Sequence, residues 1–474
     1  MKSAFFELSQ SLAKDACDFI MYKATQNQLG LVASQWFWSR KETWGPVISD
    51  FDDIGDYLIF ICWYGTEFGD QQCLEFTTNQ MNLWERHFKL PCGLFVTQYD
   101  HDKHKKVSRT DWQVVSLYEH QDALLGLVEL YRLTGERHYL DLACGVADNI
   151  IIYAKRHRGL VPNKVIPALK LSILTTSSFS ATCGLFAEEL IELYTLTNEN
   201  RYLEGAIQII NAWTDTSLFK KASLFAEGYH PYLRNVSVYR HVELMKSNTN
   251  MIYAMIYLYE ISRDAALREN IDKWFSSLLG FRSEDGGYYG IWDTRTKQLG
   301  SRIVDKTQNF AIIDAYLDAY RVFAEERFLK LAEECANFWI SQKDKTTKLI
   351  PEQFRDGAPV HFGSKIDQNI DLYSCFLKLF DMTKKDFYLE NVKDGLEVFD
   401  RFHRSKSNWW HRLLDYRSGQ LLSDEDLPQG ENLAEMNLTK YVGLPIRFFI
   451  SAHKVLRGQS IYADEITRYL IRDR

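Results

Sequence analysis

The chain has 474 residues, of which 46% are hydrophobic and 25% charged, and it carries a net charge of −7. That balance belongs to a globular protein with a large core, and it offers no basic stripe of the kind a nucleic-acid surface needs. No apolar run reaches the roughly 18 residues of a membrane span. Glu7, Lys14 and Asp15 break the apolar stretch that a secretory signal would require. The expectation is a cytoplasmic protein without nucleic-acid or membrane partners; composition says nothing of oligomeric state. Cys17, Cys62, Cys73, Cys92, Cys144, Cys183, Cys335 and Cys375 include no CxxC pair. They read as reduced thiols rather than disulfide or zinc ligands, and no metal or cofactor is expected. Aromatic residues make up 14%, enough for a large core or for an aromatic-lined cavity.

In chain order, a helix over roughly 3–26 comes first. A long loop (28–50) then leads into the acidic segment Asp50, Asp52, Asp53, Asp56 and an apolar helix ending near Tyr64. After the loop 90–116, the run ALLGLVELY (123–131) ends in the turn YRLTGERHYL (131–140), and a second helix follows over 139–154. The turn recurs as YTLTNENRYL (194–203), YRVFAEERFL (320–329) and FDMTKKDFYL (380–389), with looser copies from Tyr64 and Tyr259. The anchors Tyr64, Tyr131, Tyr194, Tyr259, Tyr320 and Phe380 are 60–67 residues apart. Before each anchor the helix is apolar around too much of its circumference to lie on a surface. After each anchor a polar face appears at helical spacing. Each unit is therefore a buried inner helix, a tight turn and an amphipathic outer helix. The segment 441–456 supplies a seventh inner helix, whose start Pro445 weakens. The N-terminal helix supplies its missing partner. The predicted fold is all-α: one domain over 1–474, a closed (α/α) toroid with seven hairpins favoured over six and an open solenoid as the alternative.

The long loops all precede inner helices, so one rim of the toroid carries them, and long loops on a rigid scaffold carry function. Counting eleven residues back from each anchor gives Asp53, His120, Cys183, Asn248, Asn309 and Asn369. The residues one earlier are Asp52, Glu119, Thr182, Ser247, Gln308 and Gln368. Asp305 and Lys365 stand one turn upstream. Such a column caps helices or rings the mouth of a cavity. Asp50, Asp52, Asp53 and Asp56 lie too close for all to ionise readily, so one can keep a proton as an acid; alternatively they bind a divalent cation. Glu119 and His120, beside Gln121 and Asp122, offer a second acid–base group from the next unit. Two carboxyl groups flanking a cavity are what glycosidic-bond cleavage requires. The expected catalytic residues are Asp53, Glu119 and His120. The expected sugar-binding residues are Asp52, Asn248, Glu243, Asp285, Trp292, Asp305, Gln308, Asn309, Gln368, Asn369, Trp410 and His411, with Trp409, His230 and His241 nearby.

These turns, with acids or amides opening each inner helix, resemble those of the (α/α)-barrel carbohydrate enzymes. The loop EDGGYYGIWD (284–293) followed by Lys306 is similar to loops of the N-acylglucosamine 2-epimerases. The seven-hairpin count and GLVPN (159–163) look like the family 47 α-mannosidases. The resemblance implies a carbohydrate-active enzyme, a glycoside hydrolase acting on an oligosaccharide, with a sugar epimerase as the variant. Neither the epimerases' paired catalytic histidines nor the mannosidases' C-terminal calcium-binding threonine has a match, which leaves the reaction open. Asp50, Asp52 and Asp53 also resemble the DxDD acid of class II terpenoid cyclases, and Cys62-Trp63-Tyr64-Gly65 faintly resembles lanthionine cyclases, whose zinc ligands are missing. A non-catalytic glycan- or protein-binding toroid is the remaining alternative.

Overall fold

The structure, a computed structural model, describes residues 2–37, 48–101, 109–172, 177–230, 241–244, 247–294, 296, 298–360, 362–405, 410–422 and 436–463. Trp409 and the side chain of His241 lie outside the described residues.

Six helical hairpins follow the repeat. Their inner helices are Ile59–Phe68, entered through a π-helical turn at Ile54–Leu58, then His120–Thr134, Ser180–Thr197, Thr249–Ser262, Lys306–Phe323 and Ile366–Thr383. Their outer helices are Gln71–Phe88, Arg137–Arg156, Asn200–Thr214, Ala265–Leu278, Glu326–Ser341 and Asp386–Val398. The seventh inner helix, Lys440–Leu456, packs on the N-terminal helix Lys2–Tyr22 and on the inner helices of hairpins 1 and 6. The ring is closed, with seven hairpins. Pro445 is the sixth residue of its helix and forfeits one intrahelical N–H bond there without ending it.

The recurring turn has one geometry. A residue in the left-handed region follows each inner helix, and its N–H bonds to the anchor carbonyl: Gly135 to Tyr131, Asn198 to Tyr194, Arg263 to Tyr259, Ala324 to Tyr320 and Lys384 to Phe380. This satisfies a carbonyl the helix would leave orphaned and reverses the chain. In hairpin 1 the bond runs from Gly69 to Gly65, one residue past Tyr64. The π turn upstream contains the additional residue.

Glycine sets the approach of inner helices. A Cβ on Gly55 would drive into the backbone carbonyl of Asp122, and one on Gly184 would fall 2.5 Å from the backbone of Asn250. Hairpins 1 and 2, and 3 and 4, therefore touch backbone to backbone.

The rim is not the set of irregular loops that an all-α reading implies. Seven small antiparallel sheets stand there among the described residues. Each joins the loop before one inner helix to the loop before the next: Ile48–Asp50 with Gln98–Asp100, Val115–Ser116 with Lys164–Ile166, Ser178–Phe179 with Gly228–Tyr229, and so on. The last, Gln35–Phe37 with Met436–Leu438, closes the rim across the seam. Among the described residues no helix is long and apolar enough to cross a membrane.

Candidate active site

The seven inner helices and their rim loops enclose a cavity of about 330 Å³, a size that suits a small ligand. Every hairpin contributes to its wall. Asp52 and Asp56 come from hairpin 1, Tyr118, Gln121 and Asp122 from hairpin 2, Ala181 and Leu185 from hairpin 3, and Asn250 from hairpin 4. Thr307 and Phe310 come from hairpin 5, and Lys365, Asp367, Gln368 and Asp371 from hairpin 6. Arg412, Lys440, Tyr441, Leu444 and Arg447 complete the ring.

Hairpins 1 and 2 form an acidic wall. Asp52 is held well above the ordinary carboxylate range by burial and by the charges of Asp53 and Asp56. Asp122 is pushed up to about 7 by burial and then by Asp56, with Lys440 opposing. Glu119 is raised by burial and shares a hydrogen bond with Asp52. One oxygen from each of Asp52, Asp56 and Asp122 lies within 4.8 Å of the others, oxygen donors of the kind a hard divalent cation takes. Lys440, with Nζ 3.8 Å from Asp56 Oδ2, already brings a positive charge to this corner. The field of Asp56 keeps that lysine charged despite its burial.

The wall of hairpins 6 and 7 is ion-matched. Arg447 pairs with Asp371, whose carboxyl burial lifts to about 6 against the pull of the guanidinium. Behind it, Lys306 Nζ reaches Glu352 Oε1 at 2.9 Å, Asn369 Oδ1 at 2.8 Å and the Ile350 carbonyl at 2.9 Å. Glu352 also accepts from the Lys365 N–H, which fixes the first turn of the helix that presents Asp367 and Gln368.

Apart from Arg447, which pairs with Asp371, six buried polar atoms of the cavity wall have no hydrogen-bond partner among the described residues: Asp52 Oδ1, Asp56 Oδ2, Gln121 Oε1, Asp367 Oδ1, Gln368 Oε1 and Arg412 Nε. Buried polar atoms are normally paired. Five of these six are acceptors, so the site is built for a ligand rich in donors.

Of the residues expected from the sequence, Asp52 and Gln368 line the cavity, and Glu119 touches it through Asp52. The column eleven residues before the anchors does not ring the mouth; it latches the rim loops from behind. Asn309 accepts from the Tyr288 N–H and donates to the carbonyls of Tyr288 and Asp305, each at 2.8 Å. Asn248 does the same for Phe225 and Glu243, and its Oδ1 also accepts from Trp274 Nε1. Asn369 joins Lys306, Ser364 and His403. His120 accepts from the Phe95 N–H through Nε2 and donates from Nδ1 to the Ser116 carbonyl. Burial lowers its pKa to about 4 and keeps it neutral. Asp53 accepts from Ser34 Oγ at 2.6 Å. These five are corrections to the expected roles.

Other expected binders also sit elsewhere. Asp305 caps its helix and holds Gln353. Gln308 packs against Gly290, Asp285 is an exposed turn residue, and Glu243 and Trp292 belong to a rim sheet. Trp410 is fully buried against Phe449. His411 is half-buried and does not line the cavity, although its neighbour Arg412 does.

The inward column lies nine residues before four of the anchors, at Asp122, Leu185, Asn250 and Asp371, with Asp56 nine before Gly65; hairpin 5 presents Phe310, ten before Tyr320. Positions two apart on an α-helix point about 200° apart, so this column and the latching one face opposite ways.

No protein-family model and no curated protein sequence matches the chain. Solved structures do. An α-1,2-mannosidase from Trichoderma reesei superposes with a TM-score of 0.66 at 11% identity over 98% of this chain and 95% of that one. A cellobiose 2-epimerase from Bacillus thermoamylovorans gives 0.59 at 10% identity, over 96% of this chain and all of that one. A D-mannose isomerase gives 0.56 at 11% identity, over 96% and 97%. The likeness is one of fold. This chain shares the (α/α)-toroid architecture of all three.

Proposed function

We propose that this protein is a carbohydrate-active enzyme, a glycoside hydrolase that cleaves an oligosaccharide by carboxylic acid–base chemistry in the toroid cavity. The observation that carries this reading is the pair of facing carboxyl walls around a hollow whose unpartnered atoms are almost all acceptors. Sugar hydroxyls supply the missing donors. Asp122 is the proton donor, because it holds its proton near neutral pH. Asp52 and Glu119, joined by a hydrogen bond and both raised by burial, stand beside it. Asp367, with Oδ1 unpartnered on the other wall, is the base or nucleophile. The mannosidase among the structural neighbours supports hydrolysis on this scaffold.

Two observations favour hydrolysis over epimerisation and over prenyl cyclisation. No histidine is among the residues lining the cavity, and both ring nitrogens of His120 and of His403 are engaged with structural partners. Among the described residues, neither of these two imidazoles is free to move a carbon-bound proton. The lining is also dominated by charged and amide groups, which an apolar prenyl chain would leave desolvated and unpaired.

The test is a screen of aryl glycosides and oligosaccharides against the wild type, Asp122→Asn and Asp367→Asn. Turnover by the wild type and its collapse in both variants is expected. Absence of both turnover and saccharide binding in the wild type would overturn the reading.

A further inference from the structure

Of the six unpartnered polar atoms in the cavity wall, five accept and one donates, Arg412 Nε. Sugar hydroxyls satisfy the five by donating to them. Arg412 calls for the opposite, an acceptor, and a charged group is best met by an opposite charge. Two other cations of the wall have theirs: Arg447 pairs with Asp371, and Lys440 Nζ stands 3.8 Å from Asp56 Oδ2. Among the described residues Arg412 has no carboxylate partner.

The local fold fixes where this guanidinium stands. The loops before hairpins 6 and 7 meet in a rim sheet, Gly363–Lys365 with Leu413–Asp415, whose register sets Lys365 opposite Leu413. Arg412 immediately precedes Leu413, and its carbonyl accepts from the Ile366 N–H at 2.8 Å. Its backbone is thus tied to the first residue of the inner helix of hairpin 6. Its guanidinium lies over the Tyr441 ring of hairpin 7, 5.0 Å from the centroid. Stacking on an aromatic face restrains a guanidinium without consuming its N–H groups. Burial raises the Tyr441 hydroxyl and Asp367 adds to this, while the charges of Arg412, Lys440 and Lys365 oppose it. Three cations and one acid therefore act on one ring, and Arg412, Lys365 and Tyr441 all line the cavity. Consecutive residues divide the work: Lys440 serves Asp56 on the acidic wall, and Tyr441 carries Arg412.

We propose that Arg412, with Lys365 of the same rim sheet, recognises an oxyanion carried by the sugar, the carboxylate of a uronic acid or the phosphate of a sugar ester. The inference rests on the sugar reading of the cavity and adds the substrate class, an acidic saccharide rather than a neutral one. Carboxylate and phosphate share the chemistry that matters here: two oxygens spaced to accept a pair of parallel N–H bonds from one guanidinium. Arginine keeps its charge throughout the pH range of proteins, so the recognition does not depend on the state of the acidic wall. The hydroxyls of the same ring remain available to Asp52, Asp56, Gln121, Asp367 and Gln368.

The experiment measures dissociation constants by calorimetry at about pH 7, where uronates are ionised. The ligands are glucose, galactose and mannose, the matching uronates and the matching 6-phosphates; the proteins are the wild type, Arg412→Gln and Arg412→Lys. For at least one sugar, the uronate or the 6-phosphate is expected to bind about 10- to 100-fold more tightly than the neutral form, the size of a hydrogen bond to a charged group. Whichever form shows the preference identifies the oxyanion. Arg412→Gln brings the ratio of anionic to neutral affinity close to one. Arg412→Lys keeps the charge but loses the paired N–H groups and gives an intermediate ratio; it is the second probe should Arg412→Gln misfold. Neutral sugars that bind as tightly as both anionic forms overturn the proposal. So does a preference that survives undiminished in either variant. A wild type that binds none of these sugars, neutral or anionic, overturns the cavity reading itself, and this outcome is distinct because no ratio then exists.

Discussion

The two charged walls of the cavity handle their acids in opposite ways. On the wall of hairpins 1 and 2, Asp52, Asp56 and Asp122 crowd one another with Lys440 as the cation at their corner, and burial raises the carboxyls of Asp52 and Asp122. On the wall of hairpins 6 and 7, Asp371 has Arg447, and Glu352 has Lys306 behind it. One wall crowds its acids together, and the other pairs Asp371 and Glu352 with cations and leaves Asp367 Oδ1 open to the cavity. A cavity that needed only negative charge would not require both arrangements.

The contrast is broken most severely by removing the Asp122 carboxyl. Asp122→Asn is expected to lower kcat about 100- to 10,000-fold, measured on whichever glycoside the wild type turns over, with the fold intact by circular dichroism. If Asp122→Asn keeps more than a tenth of the wild-type rate, the acidic wall is not the acid. With the carboxyl in place, the rate falls as pH rises through about 7, because the donor form is lost.

The ion-matched wall gives the next largest effect. Arg447→Met leaves Asp371 buried without its partner, a loss of about 3–5 kcal/mol by chemical denaturation. Arg447→Met with Asp371→Leu recovers most of it. A single variant as stable as the wild type would show the pair to be dispensable.

Gly55→Ala pushes hairpin 1 away from hairpin 2 and separates Asp56 from Asp122. It is expected to cost about 1–3 kcal/mol and to return Asp122 toward an ordinary carboxylate, read as an acid shift of the pH–rate limb.

Asp122→Asn also changes stability, in the opposite direction to its effect on rate. The native pKa of Asp122 lies above its unfolded value, so the folded state binds the extra proton and loses stability as pH rises from about 4 to 7. The variant therefore gains stability relative to the wild type between pH 4 and pH 8, read by chemical denaturation at the two pH values. The smallest effect is expected from Lys440→Met. Loss of that positive charge raises the Asp122 pKa further, moving the pH–rate limb up by about one unit.

The repeat, the seven-hairpin closure and the N-terminal helix as outer partner of the last inner helix were all legible in the sequence. These follow from local patterns: an apolar run, an anchor and a turn residue able to enter the left-handed region. The face of each inner helix was not legible. These helices are apolar nearly all round, so their pattern lacks the one-sided stripe that fixes orientation. By residue type the polar column at the helix starts suits the mouth; in the structure it is the latch. Asp53, His120, Asn248, Asn309 and Asn369 look chemical because a buried loop needs amides and imidazole to satisfy its backbone. Asp122, Asn250 and Asp371 form the inward column two residues on, and they carry the clearer mark: an acid or amide inside an apolar run with no turn to cap. The rim strands escaped because each is two or three residues long and pairs only with the neighbouring hairpin. Arg412 and Lys440 entered from the last loop and the last helix, where no repeat anchor locates them.

The partnership between Lys2–Tyr22 and Lys440–Leu456 has a consequence for biosynthesis. The helix Lys2–Tyr22 leaves the ribosome long before its mate, Lys440–Leu456, is made. At about 5–20 residues per second, the interval is on the order of half a minute or longer. Through that time the apolar side of the helix, including Leu12, Ala16, Phe19 and Ile20, has no inner helix of hairpin 7 to cover it. Burying that side is therefore a late step, completed only once translation has passed residue 456.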